Sequence, residues 1–139
     1  MTRKNSLSFM HISHIAIWCK NLEVMKSFYE KYFEGKAGTK YRNAEKRFES
    51  YFIEFASGAR LELMNKPNIV ELPIDTNIQH IGLVHIAFGV GNKHKVDSLT
   101  LNLRNDGYFI AGEPRTTGDG YYESIIIDPE GNIIEITDK

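Results

Sequence analysis

Apolar and polar positions alternate along several short stretches of this chain and recur at helical spacing along two others. The order in which they do so occurs twice. Residues 11–19 alternate, with Ile12, His14, Ala16 and Trp18 on one face of a strand and Ile15, Ile17 and Cys19 on the other. Asn21 then offers a helix N-cap, with Glu23 in the first turn. Leu22, Met25, Phe28, Tyr29 and Tyr32/Phe33 recur at the spacing of one helix face until Gly35 ends the run. Three short strands follow at about 38–42, 49–56 and 59–65, the last pair joined by Ala56-Ser57-Gly58. A polar stretch from Lys66 to Ile81, with Pro67 and Pro73, connects the halves.

The pattern then repeats. A strand over 82–90 leads through Gly91-Asn92 to a helix built on Val96, Leu99 and Leu103 that ends near Asp106-Gly107. Strands follow at about 108–111, 121–127 and 132–137, the last two joined by Asp128-Pro129-Glu130-Gly131. Strand, helix and three strands, twice over, predict a single α+β domain of two tandem modules, about 11–65 and about 82–137. Helices do not alternate with every strand, which argues against a doubly wound parallel sheet. A fragment echo supports the duplication: Phe48-Glu49-Ser50 resembles Tyr122-Glu123-Ser124.

Each half carries one histidine and one glutamate at matching places. His14 precedes Glu62 by 48 residues and His85 precedes Glu135 by 50. Each glutamate lies four residues after a turn glycine, Gly58 or Gly131. The flanking residues, Leu61 and Leu63 or Ile134 and Ile136, are apolar, so both carboxylates point to the opposite face of their strands. Two carboxylates sharing a concave face repel unless protons or a cation neutralise them. Two imidazoles and two carboxylates neutralise one divalent ion and suit Zn, Ni, Co, Fe or Mn, with room for water or substrate. A lone histidine or glutamate on a strand is ordinarily structural. The repetition of both favours a metal site.

Other residues give weaker signals. Alternation places Trp18 beside His14 and Arg60 beside Glu62. The segment Pro114 to Tyr122, with Arg115 and Tyr121, reads equally as a substrate-binding lid or a solvated hairpin. His11, His80 and His94 are expected at the surface. Cys19 has the wrong parity to join His14.

Composition narrows the class. The 139 residues are 42% hydrophobic and 25% charged, with a formal net charge of −1. No basic excess points to nucleic acid, and no apolar run approaches the roughly 18 residues of a membrane span. Cys19 is the only cysteine and residues 1–9 lack the apolar core of a signal peptide, so a cytoplasmic location is expected.

The run His-Ile-Ala-Ile-Trp-x-x-Asn-Leu-Glu, the Leu-Glu-Leu and His-Ile-Ala-Phe strands and the ending Asp-Pro-Glu-Gly-Asn-Ile-Ile-Glu-Ile resemble the glyoxalase/bleomycin-resistance/dioxygenase (vicinal oxygen chelate) superfamily. The likeness is strongest to its small glyoxalase-I-like (lactoylglutathione lyase) proteins and runs from about residue 11 to 137. It implies two βαβββ modules whose curved sheets form a cup, helices outside, around a metal held by His14, Glu62, His85 and Glu135. It also implies a homodimer, in some cases with the site at the subunit interface. The implied activity is isomerisation of an α-ketoaldehyde thiol adduct, with Glu135 as base and Glu62 as its partner. Trp18, Arg60, Arg115 and Tyr121 are the candidate substrate contacts. Two departures weaken glutathione recognition: Trp18 stands where an arginine is usual, and Lys66 where an asparagine is usual. A thioester epimerase is an alternative, as is a metal-free drug-binding protein. Extradiol-type dioxygenases use two histidines and one carboxylate, so Glu62 argues against that chemistry.

Overall fold

The computed structural model describes residues 9–73, 75 and 77–139. The first half contains β1 (His14–Trp18), α1 (Leu22–Phe33), β2 (Lys36–Ala37), β3 (Tyr41–Asn43), β4 (Phe48–Glu54) and β5 (Arg60–Asn65). The second contains β6 (Ile86–Gly89), α2 (Lys93–Asn105), β7 (Ile110–Thr116), β8 (Tyr122–Ile127) and β9 (Ile133–Thr137). One sheet runs β1-β5-β4-β2, with β3 also on β4, and the other runs β6-β9-β8-β7. In each, the strand that starts at or just after the histidine pairs parallel with the glutamate-bearing strand, and the rest is antiparallel. β1 and β6 each have one neighbour, so both sheets stop at an open edge beside their histidine.

The helices start where the sequence places their caps. Asn21 Oδ1 accepts the Val24 N–H at 3.1 Å and Asn92 Oδ1 accepts the Lys95 N–H at 2.9 Å, which satisfies amide groups a helix start leaves unpaired. α1 ends as Glu34 takes a left-handed conformation at φ 56°. The α1 face of Leu22, Met25, Phe28 and Tyr29 is buried against Leu61 and Leu63, while Ile134 and Ile136 hold the same place in the second half. Each such side chain contributes ~1.5–3 kcal/mol by leaving water.

The halves share one core. Phe88 of β6 packs against Phe33 of α1 at 4.3 Å between ring centroids and against Phe55 at 5.0 Å. The β8–β9 turn then docks on the first half. Buried Asp128 accepts the Tyr29 hydroxyl at 2.7 Å, and the Glu130 carboxylate accepts the N–H groups of Lys20 and Asn21 at the head of α1.

Three expectations need correction. The strand over 38–42 is two short pieces, β2 and β3. The second histidine strand begins at Ile86, immediately after His85, rather than at 82. β7 runs on to Thr116, through the supposed loop at Pro114 and Arg115, so the loop shrinks to residues 117–121. Pro114 is tolerated because β7 is an edge strand with β8 alone beside it, where register irregularities already interrupt the ladder.

Candidate functional site

The register of each parallel pair decides what meets each histidine. Ala16 lies opposite Glu62 and Ala87 opposite Glu135, so each histidine, two positions earlier on the same face, reaches across a small residue to the carboxylate. His14 Nε2 lies 3.4 Å from Glu62 Oε2, and His85 Nε2 lies 3.3 Å from Glu135 Oε2. Both histidine side chains are 39% exposed, and the glutamates 15% and 16%. The two half-sites are near copies in distance and in burial.

The halves differ in their surroundings. Beside His14 the open face of the first sheet is aromatic and cationic. Phe52, the cross-strand partner of Glu62, meets the His14 ring edge-on at 5.3 Å. The Arg60 guanidinium lies 4.3 Å above Phe52, and no ion pair among the described residues engages it. Trp18 is 41% exposed, set edge-on to Phe48, with the Lys66 ammonium above its ring at 4.9 Å.

Beside His85 a pocket of about 620 Å³ opens, walled by the 117–121 turn, Glu123, Glu135 and Thr137. Tyr121 lines it, and Arg115 stands behind Glu123 at 3.6 Å. Burial, a hydrogen bond with Glu135 and that neighbour's charge push the Glu123 carboxyl above the usual carboxylate range.

All four expected donors therefore lie on open sheet faces, brought together two by two. Trp18 and Arg60 fall with the first pair, Tyr121 and Arg115 with the second. Among the described residues, no three His, Cys, Asp or Glu side chains of one chain close into a metal-holding group. His11, His80 and His94 are exposed and Cys19 is buried, away from the site. Burial chiefly, with the charge of Glu130, pushes the Cys19 thiol up to about 12.

Glu123, Phe52 and Thr137 were not anticipated, and the tripeptide echo misleads. Glu49 pairs with Asn65, three residues beyond Glu62, but Glu123 pairs with Thr137, two beyond Glu135. One residue of offset moves a side chain to the other face. Glu49 thus sits among Lys40 and Arg42, while Glu123 enters the pocket. The signal was present in the spacing: Glu49 lies 13 residues before Glu62, but Glu123 only 12 before Glu135.

Solved structures share the fold. The trypanothione-dependent glyoxalase I from Leishmania major matches with a TM-score of 0.73 at 22% identity, over 93% of this chain and 86% of that one. A glyoxalase family protein from Enterococcus faecalis gives 0.73 at 22%, over 93% and 98%. Glyoxalase I from Zea mays gives 0.74 at 21%, over 93% of this chain, which spans 44% of the maize chain. At these identities the likeness establishes the fold alone. A comparison with curated protein sequences finds no significant match. The family profile, however, matches residues 11–136, nearly the full length, and the chain belongs to the Glyoxalase/Bleomycin resistance protein/Dioxygenase superfamily.

Proposed function

We propose that this chain is a metal-dependent isomerase of glyoxalase type whose site forms between two copies. Each site would take His14 and Glu62 from one protomer and His85 and Glu135 from its partner. The carrying observation is the pair of matched half-sites, each on the open edge of its sheet. Donors ~2.1 Å from a common ion lie about 3.0–3.4 Å apart at octahedral to tetrahedral angles, which the 3.4 and 3.3 Å separations fit. An unpaired edge strand ordinarily needs cover, and a second copy would cover both. Exposed apolar residues around the connection, Leu72, Ile81, Leu83 and Val84, supply further surface for such a contact.

When bound, a divalent ion such as zinc or nickel (or cobalt, manganese or iron) would act as a Lewis acid toward a carbonyl oxygen. The chain's own residues do the rest. Glu135 takes the proton from the carbon beside the carbonyl and returns it to the neighbouring carbon, so the reaction isomerises without a net gain or loss of atoms. Such base chemistry contributes ~10²–10⁴-fold. Glu62 faces it from the other half as the second carboxylate. Glu123 stands beside Glu135 on the paired strand and lines the same pocket. Trp18 and Phe52 wall the site against water, and Arg60 offers an unpaired cation to the substrate's oxygen.

The test mixes two inactive variants. His14→Ala and His85→Ala each lose metal alone. Unfolded together and refolded, their heterodimers regain one intact site, so about one ion returns per heterodimer, with activity toward methylglyoxal–thiol adducts. Absence of metal in wild-type protein after reconstitution with zinc or nickel would sink the enzyme reading. It would leave a metal-free binder of small molecules. Metal in wild type without rescue in the mixture would place the whole site in one chain.

A further inference from the structure

The pocket beside His85 holds an unexplained atom. Thr137 Oγ1 is the only side-chain nitrogen or oxygen among the described residues that is buried with no hydrogen-bond partner. Thr137 is 6% exposed and lines the pocket, two residues beyond Glu135 and directly across from Glu123. A buried hydroxyl without a partner costs ~1–3 kcal/mol. A threonine that fills space could be valine at no such cost; Oγ1 is closed to water as it stands, and a turn about the Cα–Cβ bond would be needed to offer it to a partner in the pocket.

The remaining lining specifies what that partner offers. Thr117, Asp119, Tyr121, Glu123, Glu135 and Thr137 surround the space with oxygens, and His85 is its one nitrogen-bearing side chain. Of the nearby cations, Arg115 is held at Glu123 and Lys139 lies over the Tyr121 ring at 4.5 Å; neither lines the pocket. Such a wall accepts hydrogen bonds. Without a bound ion it repels a carboxylate, which would be buried against like charge, and it suits hydroxyl groups, which donate. The opposite half, with Arg60 over Phe52, has the reverse character.

We infer that the pocket is a subsite for the uncharged, hydroxyl-bearing end of a small carbonyl substrate, with Thr137 Oγ1 as one of its hydrogen-bonding groups. This rests on the isomerase reading and adds the substrate class: polyhydroxylated carbonyl compounds of the sugar type, rather than adducts that bring a carboxylate to this side. Thr137 orients; it takes no part in the proton transfer.

The test uses the full-length protein, both chelator-treated and zinc-reconstituted. Its probes are D-erythrulose, a four-carbon hydroxylated ketone, and 2-oxobutyrate, its anionic counterpart of equal carbon count. Binding is followed by ligand-observed NMR and calorimetry. Chelator-treated wild-type protein, with no ion to hold a 2-oxo acid, binds erythrulose in preference to 2-oxobutyrate. Thr137→Val weakens erythrulose about 3–10-fold, the worth of one hydrogen bond, and Thr137→Ser restores it. Thr137→Val also melts about 2–4 °C higher, because an orphaned hydroxyl has been removed. A threonine whose hydroxyl is hydrogen-bonded within the fold gives the opposite sign. Unchanged affinity in Thr137→Val, a lowered melting temperature, or preference of the chelator-treated protein for 2-oxobutyrate would each overturn the subsite. Metal content measured on the same samples separates the two readings. Thr137-dependent erythrulose binding by a protein that takes up no zinc on reconstitution defeats the isomerase and leaves the subsite; metal with a silent Thr137 does the reverse.

Discussion

Removing the Tyr29 hydroxyl tests how the two modules are held at one angle. Tyr29 is fully buried on α1, and its hydroxyl donates to Asp128 Oδ2 across the seam at 2.7 Å. In Tyr29→Phe the ring keeps its neighbours Phe28, Phe33 and Phe88. Asp128 keeps the Asn132 amide and the N–H groups of Glu130 and Asn132. Only one charge-assisted bond is lost, at a cost of ~1.5–2 kcal/mol. Asp128→Ala acts differently. It strands the buried Tyr29 hydroxyl and releases the turn's three other donors, so ~3–4 kcal/mol is expected. The asymmetry between the two single variants is the signature of a buried acceptor serving several donors. In the double variant the losses overlap, and a cycle should return ~1–2 kcal/mol of coupling. Urea unfolding followed by Trp18 fluorescence, at one fixed protein concentration, measures all four proteins. A Tyr29→Phe change under about 0.5 kcal/mol, or an Asp128→Ala change no larger than it, would refute the reasoning.

Other expectations follow from single features. A Cβ on Gly35 would meet Ile53 Cγ2 at 2.6 Å and the Tyr29 carbonyl at 3.1 Å, so Gly35→Ala should cost ~1–3 kcal/mol by overpacking, read from urea midpoints. The Cys19 thiol, pushed up to about 12 from an ordinary 9.0, keeps its proton in the fold after the unfolded chain has lost it. Its contribution is complete below pH 9 and is lost as pH rises toward 12; relative to Cys19→Ala, wild-type stability should fall by ~1.4 kcal/mol per unit across that window. Leu83 is 92% exposed just before His85. In the proposed dimer, Leu83→Glu should shift the equilibrium toward monomer in sedimentation, with an unchanged far-ultraviolet spectrum; an unmoved dimer would remove this segment from the contact.

Much of the fold was legible because it rests on local signals. The Asn21 cap, the α1 stripe and the Leu61/Leu63 and Ile134/Ile136 flanks each fixed an element or a face. What sequence could not supply was pairing. Pro114 looked like a loop until β7 proved to be an edge strand, where a missing N–H breaks no ladder on its open side. His14, Glu62, His85 and Glu135 were legible as two pairs because each pair joins neighbouring strands. Thr137 was illegible for another reason: only three-dimensional accounting of hydrogen bonds marks a hydroxyl as unsatisfied.

The one-residue offset between the halves changes how duplicated proteins should be compared. The same glutamate in the same short phrase, Glu49 in one copy and Glu123 in the other, serves a surface ion cluster in the first and a recess beside the histidine in the second. The glutamate did not have to change for its job to change; the two hairpins keep one register, Phe52 opposite Glu62 and Ile125 opposite Glu135, and one residue fewer between the phrase and the turn was enough. Repeats can therefore diversify by slippage as well as by substitution. Aligning two copies by their letters alone would assign Glu49 a role that only its displaced counterpart can fill.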